Sequence, residues 1–167
     1  MYPKLLLMTL LACLAHGAAL ADPIHARADG AYWHHDSAWI FPEKVGTYER
    51  VGIPQDVAGS EDAVAYYAFV ENGLRYTASV DVYRATSAAA AGLEAPAPGP
   101  YSDAAFAVSA AHASSSSRHV YERESPVLGV YLIDSGDWRV RIRVTGPDLA
   151  TMDAFARGQR WDTLAAQ

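Results

Sequence analysis

The stretch EDAVAYYAFVENGLRYTASVDVYRAT, Glu61 to Thr86, has the clearest structural pattern in this chain. Two runs rich in β-branched and aromatic residues flank Asn72-Gly73, a pair that tolerates the positive φ angles of a tight two-residue hairpin. In the second run, apolar side chains alternate with mostly polar ones, which places the two kinds on opposite faces of a strand. The polar face of the predicted strand holds Arg75, Thr77, Ser79, Asp81 and Tyr83.

A second hairpin is predicted farther along the chain, where VLGVYLI and WRVRIRV flank DSGD with Gly136 at the turn. In WRVRIRV, apolar residues alternate with Arg139, Arg141 and Arg143. The period of two puts all three arginines on the face that points away from the core. If both hairpins belong to one sheet, its open face is polar and carries a stripe of arginines.

Two helices are predicted from the remaining patterns. Ser102 is a suitable N-cap for a helix through DAAFAVSAAHA, whereas the serine run at residues 114–117 is typical of a solvated loop. Pro147 is a suitable start for a helix through PDLATMDAFARGQRW. One apolar stripe of that second helix is formed by Leu149, Met152, Phe155 and Ala156.

Shorter strands are predicted near residues 47–53 and 118–123. Because strands joined by hairpins are antiparallel and two helices cover only one face, the expected fold class is α+β: an antiparallel β-sheet built from hairpins with two helices packed on one face. Residues 22–29 are polar and unpatterned, and we expect a loose N-terminal segment at residues 22–37. We expect a single domain at residues 38–167, with a Pro- and Ala-rich connection at residues 87–100.

Residues 1–21 have the pattern of a signal peptide. Lys4 supplies a positive charge, LLLMTLLACLA is an apolar core too short to span a bilayer, and cleavage is expected near Ala21, in an A-x-A site. LLAC loosely resembles a lipobox, so lipid attachment at Cys13 is the alternative. We therefore expect a periplasmic or secreted protein without a transmembrane segment.

The chain carries a formal net charge of −6 at pH 7, with 13 Lys and Arg residues against 19 Asp and Glu residues. This balance argues against nucleic acid and anionic lipid surfaces as partners. Cys13 is the only cysteine and lies in the predicted signal peptide, so we expect an exported domain without disulfides. Such a domain depends on its hydrophobic core for stability.

The arginine stripe has two interpretations. The first is structural: cross-strand ion pairs with Asp81, Glu49 or other carboxylates, each worth about 0.2–1 kcal/mol when exposed. The second is functional: a recessed site for a carboxylate, a phosphate or an acidic segment, because guanidinium groups bind planar anions through paired hydrogen bonds. The candidate ligand-binding residues are Arg139, Arg141, Arg143, Arg75, Asp81 and Tyr83.

The histidines are weaker candidates. His34 and His35 are adjacent, so on a strand they point to opposite faces and do not share one ion. His34 with Asp36 is the remaining candidate pair, but a metal site needs three or four ligands. No cofactor is implied and the common catalytic motifs are missing, so we do not expect an enzyme. The alternative is a small hydrolase or metal-binding protein that uses His34 and His112.

Aromatic residues are numerous, with ten tyrosines, four tryptophans and four phenylalanines. They predict a packed core whose members include Trp39, Phe41, Tyr66 and Trp138. The alternative role is a platform for a sugar or an apolar ligand, with the candidates Tyr83, Tyr101 and Tyr32.

The order of the main segments resembles that of small exported domains of Gram-negative bacteria. These segments are WIFPEKVGTYERVG, DAVAYYAF, YTASVDVYRA, PVLGVYLIDSGDWRVRIRVTGP and FARGQRW. The order also resembles the PsbP-like fold, an antiparallel sheet backed by helices. The chain departs from that pattern at residues 87–100, where a longer helix is expected. The resemblance implies a non-enzymatic assembly, docking or ligand-holding module. We therefore expect a binding or accessory module for an envelope or extracellular protein partner or a small ligand, with a carrier of an anionic ligand on the arginine-bearing face as the alternative.

Overall fold

The computed structural model describes residues 23–56, 62–86, 102–106, 115–121 and 126–163. These residues form twelve strands: β1 (Ile24–Ala26), β2 (Tyr32–His34), β3 (Ile40–Phe41), β4 (Lys44–Val45), β5 (Tyr48–Arg50), β6 (Gln55–Asp56), β7 (Ala63–Glu71), β8 (Leu74–Arg84), β9 (Ser102–Ala105), β10 (Ser115–Tyr121), β11 (Val127–Ser135) and β12 (Trp138–Gly146). The same residues form one α-helix, α1 (Leu149–Arg157), and a 3-10 helix at Trp161–Thr163.

Strands β4 to β12 form one large antiparallel sheet in the order β4-β5-β7-β8-β12-β11-β10-β9, with β6 paired to β7. Strands β5 and β6 pair with different parts of β7, both along the edge of β7 that faces away from β8. Strands β1, β2 and β3 form a separate, smaller antiparallel sheet. The middle of the large sheet is therefore made by the two predicted hairpins, which lie side by side.

Both hairpins are confirmed. Strands β7 and β8 pair along their length, and the turn residues Asn72 and Gly73 have φ angles of 53° and 78°. Strands β11 and β12 pair in the same way, with Gly136 at a φ of 56° in the turn. Positive φ strains most L-residues but not glycine, and asparagine tolerates it, so local turn chemistry explains both hairpins.

Helix α1 covers one face of the large sheet, here called the inner face, by packing on β11 and β12. Asp148 caps the helix, since its side chain accepts a hydrogen bond from the Thr151 backbone N–H at 2.7 Å. That bond stabilises the carboxylate and lowers the pKa of Asp148. Met152 and Phe155 are buried as predicted, but Leu149 is exposed, so the predicted stripe is wrong at its first residue.

The hydrophobic core lies between α1, the inner face and residues next to the small sheet. Trp39 and Phe41 are fully buried there, and the rings of Trp39 and Trp161 meet edge to face at 5.0 Å. Trp138 is also fully buried. The core positions on the two central strands are the alternate residues Tyr76, Ala78, Val80, Val82, Trp138, Val140, Ile142 and Val144.

The predicted α+β class with two packed helices is wrong. The described residues are mostly strand, in two antiparallel sheets, and they contain one short α-helix. Residues Ser102–Ala105, predicted to begin the other helix, form β9 and pair with β10. The reason is that cross-strand hydrogen bonds to a distant segment outweigh the small helix preference of an alanine-rich stretch.

Two further expectations are corrected. The serine run was expected in a loop, but Ser115–Ser117 begin β10 and pair with β11, and the Ser116 hydroxyl donates to the carbonyl oxygen of Phe106. The segment 22–37, expected to be loose, holds β1 and β2, which pair with each other. His34 takes part in this pairing, and its side chain is buried. The predicted signal peptide, the connection at 87–100, Tyr101 and His112 lie outside the described residues.

Candidate functional site

The face of the large sheet opposite α1, here called the outer face, carries all six sequence-predicted ligand residues. Strand pairing aligns them in rows: Asp81 lies opposite Arg141, Tyr83 opposite Arg139, and Ser79 opposite Arg143. Arg75 stands near the far end of β8. The alternation that predicted this grouping is therefore confirmed.

Two of the three β12 arginines form ion pairs. Arg141 Nε lies 3.3 Å from Asp81 Oδ2, and the two side chains are only 8% and 17% exposed. Arg139 Nε donates to Asp134 Oδ1 across the second hairpin. The structural interpretation of the stripe, cross-strand pairing, therefore applies to Arg139 and Arg141, whereas Glu49 pairs with Lys44 instead.

Arg143 differs from its two neighbours on the strand. Its side chain is exposed, and within the part of the chain that the structure describes it forms no ion pair. Its cross-strand neighbours are Ser79 on β8 and Val130 on β11, neither of which is charged. The third arginine of the stripe is therefore the one whose guanidinium is available to an anion.

A groove with a volume of about 310 Å³ opens on the outer face beside Arg143. Its floor is made where three strands meet, because Tyr66 of β7, Ser79 of β8 and Arg143 of β12 form one cross-strand row. The small Ser79 side chain between two long ones leaves the depression. The remaining lining residues are Thr77, Ala78, Leu128, Val144 and Thr145.

Tyr66 forms the wall of this groove opposite Arg143. Tyr66 was predicted to lie in the core, and this prediction is wrong, because the side chain is 48% exposed. The signal was present in the alternation along β7, where Tyr67 is buried on the inner face and the adjacent Tyr66 must point outward. The core predictions for Trp39, Phe41 and Trp138 are confirmed.

Arg75 lies away from this groove. It lines a second depression of about 290 Å³ near the end of the first hairpin, together with Leu74, Tyr76, Pro126, Val127, Gly146 and Pro147. Arg75 is exposed and, among the described residues, has no ion-pair partner. The six predicted ligand residues are thus spread over one face rather than gathered around one point.

Tyr83 lies on the outer face but is buried, so it is not an exposed aromatic platform. Burial raises the pKa of its phenol, although the nearby charges of Arg139 and Arg141 act in the opposite direction. Its hydroxyl has no hydrogen-bond partner among the described residues. A buried hydroxyl without a partner lowers stability, because its hydration is lost and not replaced.

Replacing Tyr83 by Phe should therefore leave the free energy of unfolding unchanged or raise it by up to about 1 kcal/mol. The matched control is Tyr131→Phe, because the Tyr131 hydroxyl donates to Asp153 Oδ1 at 2.7 Å and its loss should cost about 1.5–3 kcal/mol. Urea unfolding followed by tryptophan fluorescence measures both values. Equal losses in the two variants would contradict the prediction.

The histidine candidates do not assemble a metal site in the described part of the chain. His34 is buried, its Nδ1 shares a hydrogen bond with Ser37 Oγ at 2.7 Å, and its ring meets Trp138 edge to face. His35 is exposed, so the two histidines diverge as predicted, and Asp36 is half-buried. Within the described ranges, no group of three or more His, Cys, Asp or Glu side chains could hold a metal ion.

Comparison with known proteins adds no relative. No protein family, no curated protein and no solved structure matches the chain. Of the helices in the described ranges, none has both the length and the apolar character needed to cross a membrane. The function is therefore inferred from the groove and the side chains around it.

Proposed function

We propose that this chain is a non-enzymatic binding protein that holds a small ligand in the groove on its outer sheet face. The observation that carries the proposal is the row Tyr66, Ser79, Arg143, in which an exposed aromatic ring and an exposed guanidinium flank a small residue. A concave surface with a few converging polar groups is the usual form of a ligand site. The groove volume of about 310 Å³ lies at the small end of the range for such sites.

The structure around the groove supports a preformed site. Its three floor residues stand on β7, β8 and β12, which are consecutive strands at the centre of the sheet. Beneath the floor, Val80 and Ile142 are fully buried in the core. Thr145 Oγ1 also accepts from the Thr77 backbone N–H at 2.9 Å, which joins β12 to β8 beside the groove. A rigid floor reduces the ordering cost of binding.

The wider role proposed is that of an exported accessory module. The signal-like pattern of residues 1–21 supports a periplasmic or secreted location. A protein partner is a second candidate occupant, favoured by the exposed Val51 and Ile53 near the β7 side of the sheet. The groove favours the small ligand over the protein partner because it is recessed and polar at one end.

The test is a titration of the isotope-labelled chain with a panel of small aromatic acids, amides and amines, followed by backbone amide shifts in NMR spectra. We expect at least one class to shift the amides of Tyr66, Ser79 and Arg143 together. Thr77→Trp places a large side chain in the groove and should abolish those shifts. Val70→Trp is the matched control, because Val70 is exposed near the tip of the same hairpin and does not line the groove.

The proposal fails if no member of the panel shifts these amides. It also fails if the shifts persist in the Thr77→Trp variant, since the ligand would then lie elsewhere. A spectrum of the unliganded variant that overlays the original outside the groove shows that the substitution leaves the fold intact.

A further inference from the structure

We infer that the groove ligand is a small monocarboxylate with a flat apolar body, whose carboxylate binds Arg143 and whose body packs on the ring of Tyr66. This inference rests on the proposed function and names the ligand class for that site. The charge at one end of the groove and the shape and polarity of its remaining lining indicate this ligand class.

One end of the groove carries a positive charge. Arg143 is the only charged side chain among its described lining residues. The chain as a whole has a formal net charge of −6, so a positive groove stands out against an acidic background. Guanidinium groups bind carboxylates through two parallel N–H···O hydrogen bonds. An anion therefore has a partner at this end of the groove, whereas a cation does not.

A single negative charge fits better than a phosphate dianion. The next arginine along the strand, Arg141, is paired with Asp81 at 3.3 Å and so brings little net positive charge. Asp81 itself lies two residues from Ser79 on β8, which places a carboxylate beside the groove floor. The Ser79 hydroxyl points to Asp81 Oδ2, at 3.4 Å, rather than presenting a free donor. One guanidinium beside one carboxylate favours a monoanion.

The Tyr66 end of the groove indicates the shape of the apolar part of the ligand. Tyr66 and Arg143 stand two strands apart, which corresponds to about 10 Å between their backbones. That span accommodates a carboxylate followed by one six-membered ring. The ring of Tyr66 is half exposed, and Leu128 supplies further apolar surface. Aromatic rings gain free energy by stacking in offset or edge-to-face geometry, so a flat apolar body suits this wall.

The test uses four probes titrated into the chain by NMR: phenylacetate, its neutral analogue phenylacetamide, acetate, which lacks the ring, and phenyl phosphate. We expect phenylacetate to shift the amides of Tyr66 and Arg143 and to bind at least about tenfold more tightly than the other three. Arg143→Gln should reduce phenylacetate binding to the level of the amide. The affinity of Arg143→Lys for phenylacetate should lie between those of the original chain and Arg143→Gln, because lysine keeps the positive charge but does not form the two parallel hydrogen bonds of a guanidinium.

Arg75→Gln is the matched control, because it removes an exposed arginine of the same face without touching the groove. Equal binding of phenylacetate and phenylacetamide at the groove would overturn the carboxylate inference and leave the proposed function standing. Tighter binding of phenyl phosphate, or equal binding of acetate, would overturn the single charge or the apolar body. If none of the probes shifts the groove amides, this inference fails, and with it the proposed function if the wider panel also fails.

Discussion

Replacing Asp153 by Ala should lower the free energy of unfolding by about 3–5 kcal/mol, a large loss for a single charged residue. Both oxygens of Asp153 accept hydrogen bonds from Arg118 Nη1, at 2.8 and 2.6 Å. Tyr131 donates to the same carboxylate, and Arg157 approaches it at 3.5 Å. These bonds join α1 to β10 and β11.

The size of the effect follows from burial. The side chains of Arg118 and Asp153 are each only 12% exposed, so removing the carboxylate leaves the Arg118 charge largely desolvated without its partner. The carboxylate also affects its neighbour: burial and the hydrogen bond to Asp153 raise the pKa of Tyr131. The loss should therefore exceed that expected for any exposed ion pair.

Urea unfolding of the variant measures this loss, and Asp162→Ala is the matched control. Asp162 pairs with Arg160 at 3.0 Å, but their side chains are 67% and 46% exposed, so about 0–1 kcal/mol is expected. Asp153→Asn, which keeps the shape and removes the charge, should also destabilise. A loss for Asp153→Ala no larger than that of the control would contradict a structural role for the buried carboxylate.

Replacing Arg50 by Ala should lower the free energy of unfolding by about 3 kcal/mol. Arg50 donates through Nη1 to the carbonyl oxygens of Phe41 and Pro42, at 2.8 and 2.9 Å, and through Nη2 to that of Gly30, at 2.7 Å. Its guanidinium also lies 4.6 Å from the centre of the Tyr32 ring. One side chain of the large sheet therefore holds carbonyl groups in and beside the small sheet, and Ala leaves those groups without their donor.

The measurement is urea unfolding combined with amide hydrogen exchange. Exchange should rise most in β2 and β3, because these strands lose their attachment to β5. The stability of Arg50→Lys should be intermediate, since one ammonium group does not replace a guanidinium that donates to several carbonyl groups. Arg75→Ala is the control and should change stability by less than about 0.5 kcal/mol. An unchanged exchange pattern in β2 and β3 would count against this role of Arg50.

The hairpins could be predicted because their signals are local. Asn72-Gly73 and Gly136 adopt the positive φ that tight turns need, whatever surrounds them. Period-two alternation then sorted the β8 and β12 side chains onto two faces, as the burial of Val80 and Ile142 on one face and the exposure of Arg143 on the other show. Neither feature depends on contacts with distant parts of the chain.

The segment that begins at Ser102 shows where local reasoning fails. Its alanine-rich composition favours a helix and Ser102 suits an N-cap, yet Ser102–Ala105 pair with β10. Pairing with a strand that itself begins in a serine run was not visible in either segment alone. The prediction that Tyr66 is buried was wrong for a related reason. Its aromatic character indicated burial, but its position in β7 puts it on the outer face.

The amino-acid pattern was enough to predict the two hairpins, their two-faced character and the grouping of Arg139, Arg141 and Arg143 on one face, because turn geometry and strand alternation depend on neighbouring residues alone. The folded sheet was needed to show that Arg143 is the one of the three without an ion-pair partner among the described residues. The strand order sets β12 between β8 and β11, which brings Asp81 to Arg141 and Asp134 to Arg139 but brings Ser79 and Val130 to Arg143. Arg139 is neutralised by Asp134, which lies five residues away in the same hairpin. Arg141 is neutralised by Asp81, which is 60 residues away in sequence and becomes its neighbour only in the folded sheet.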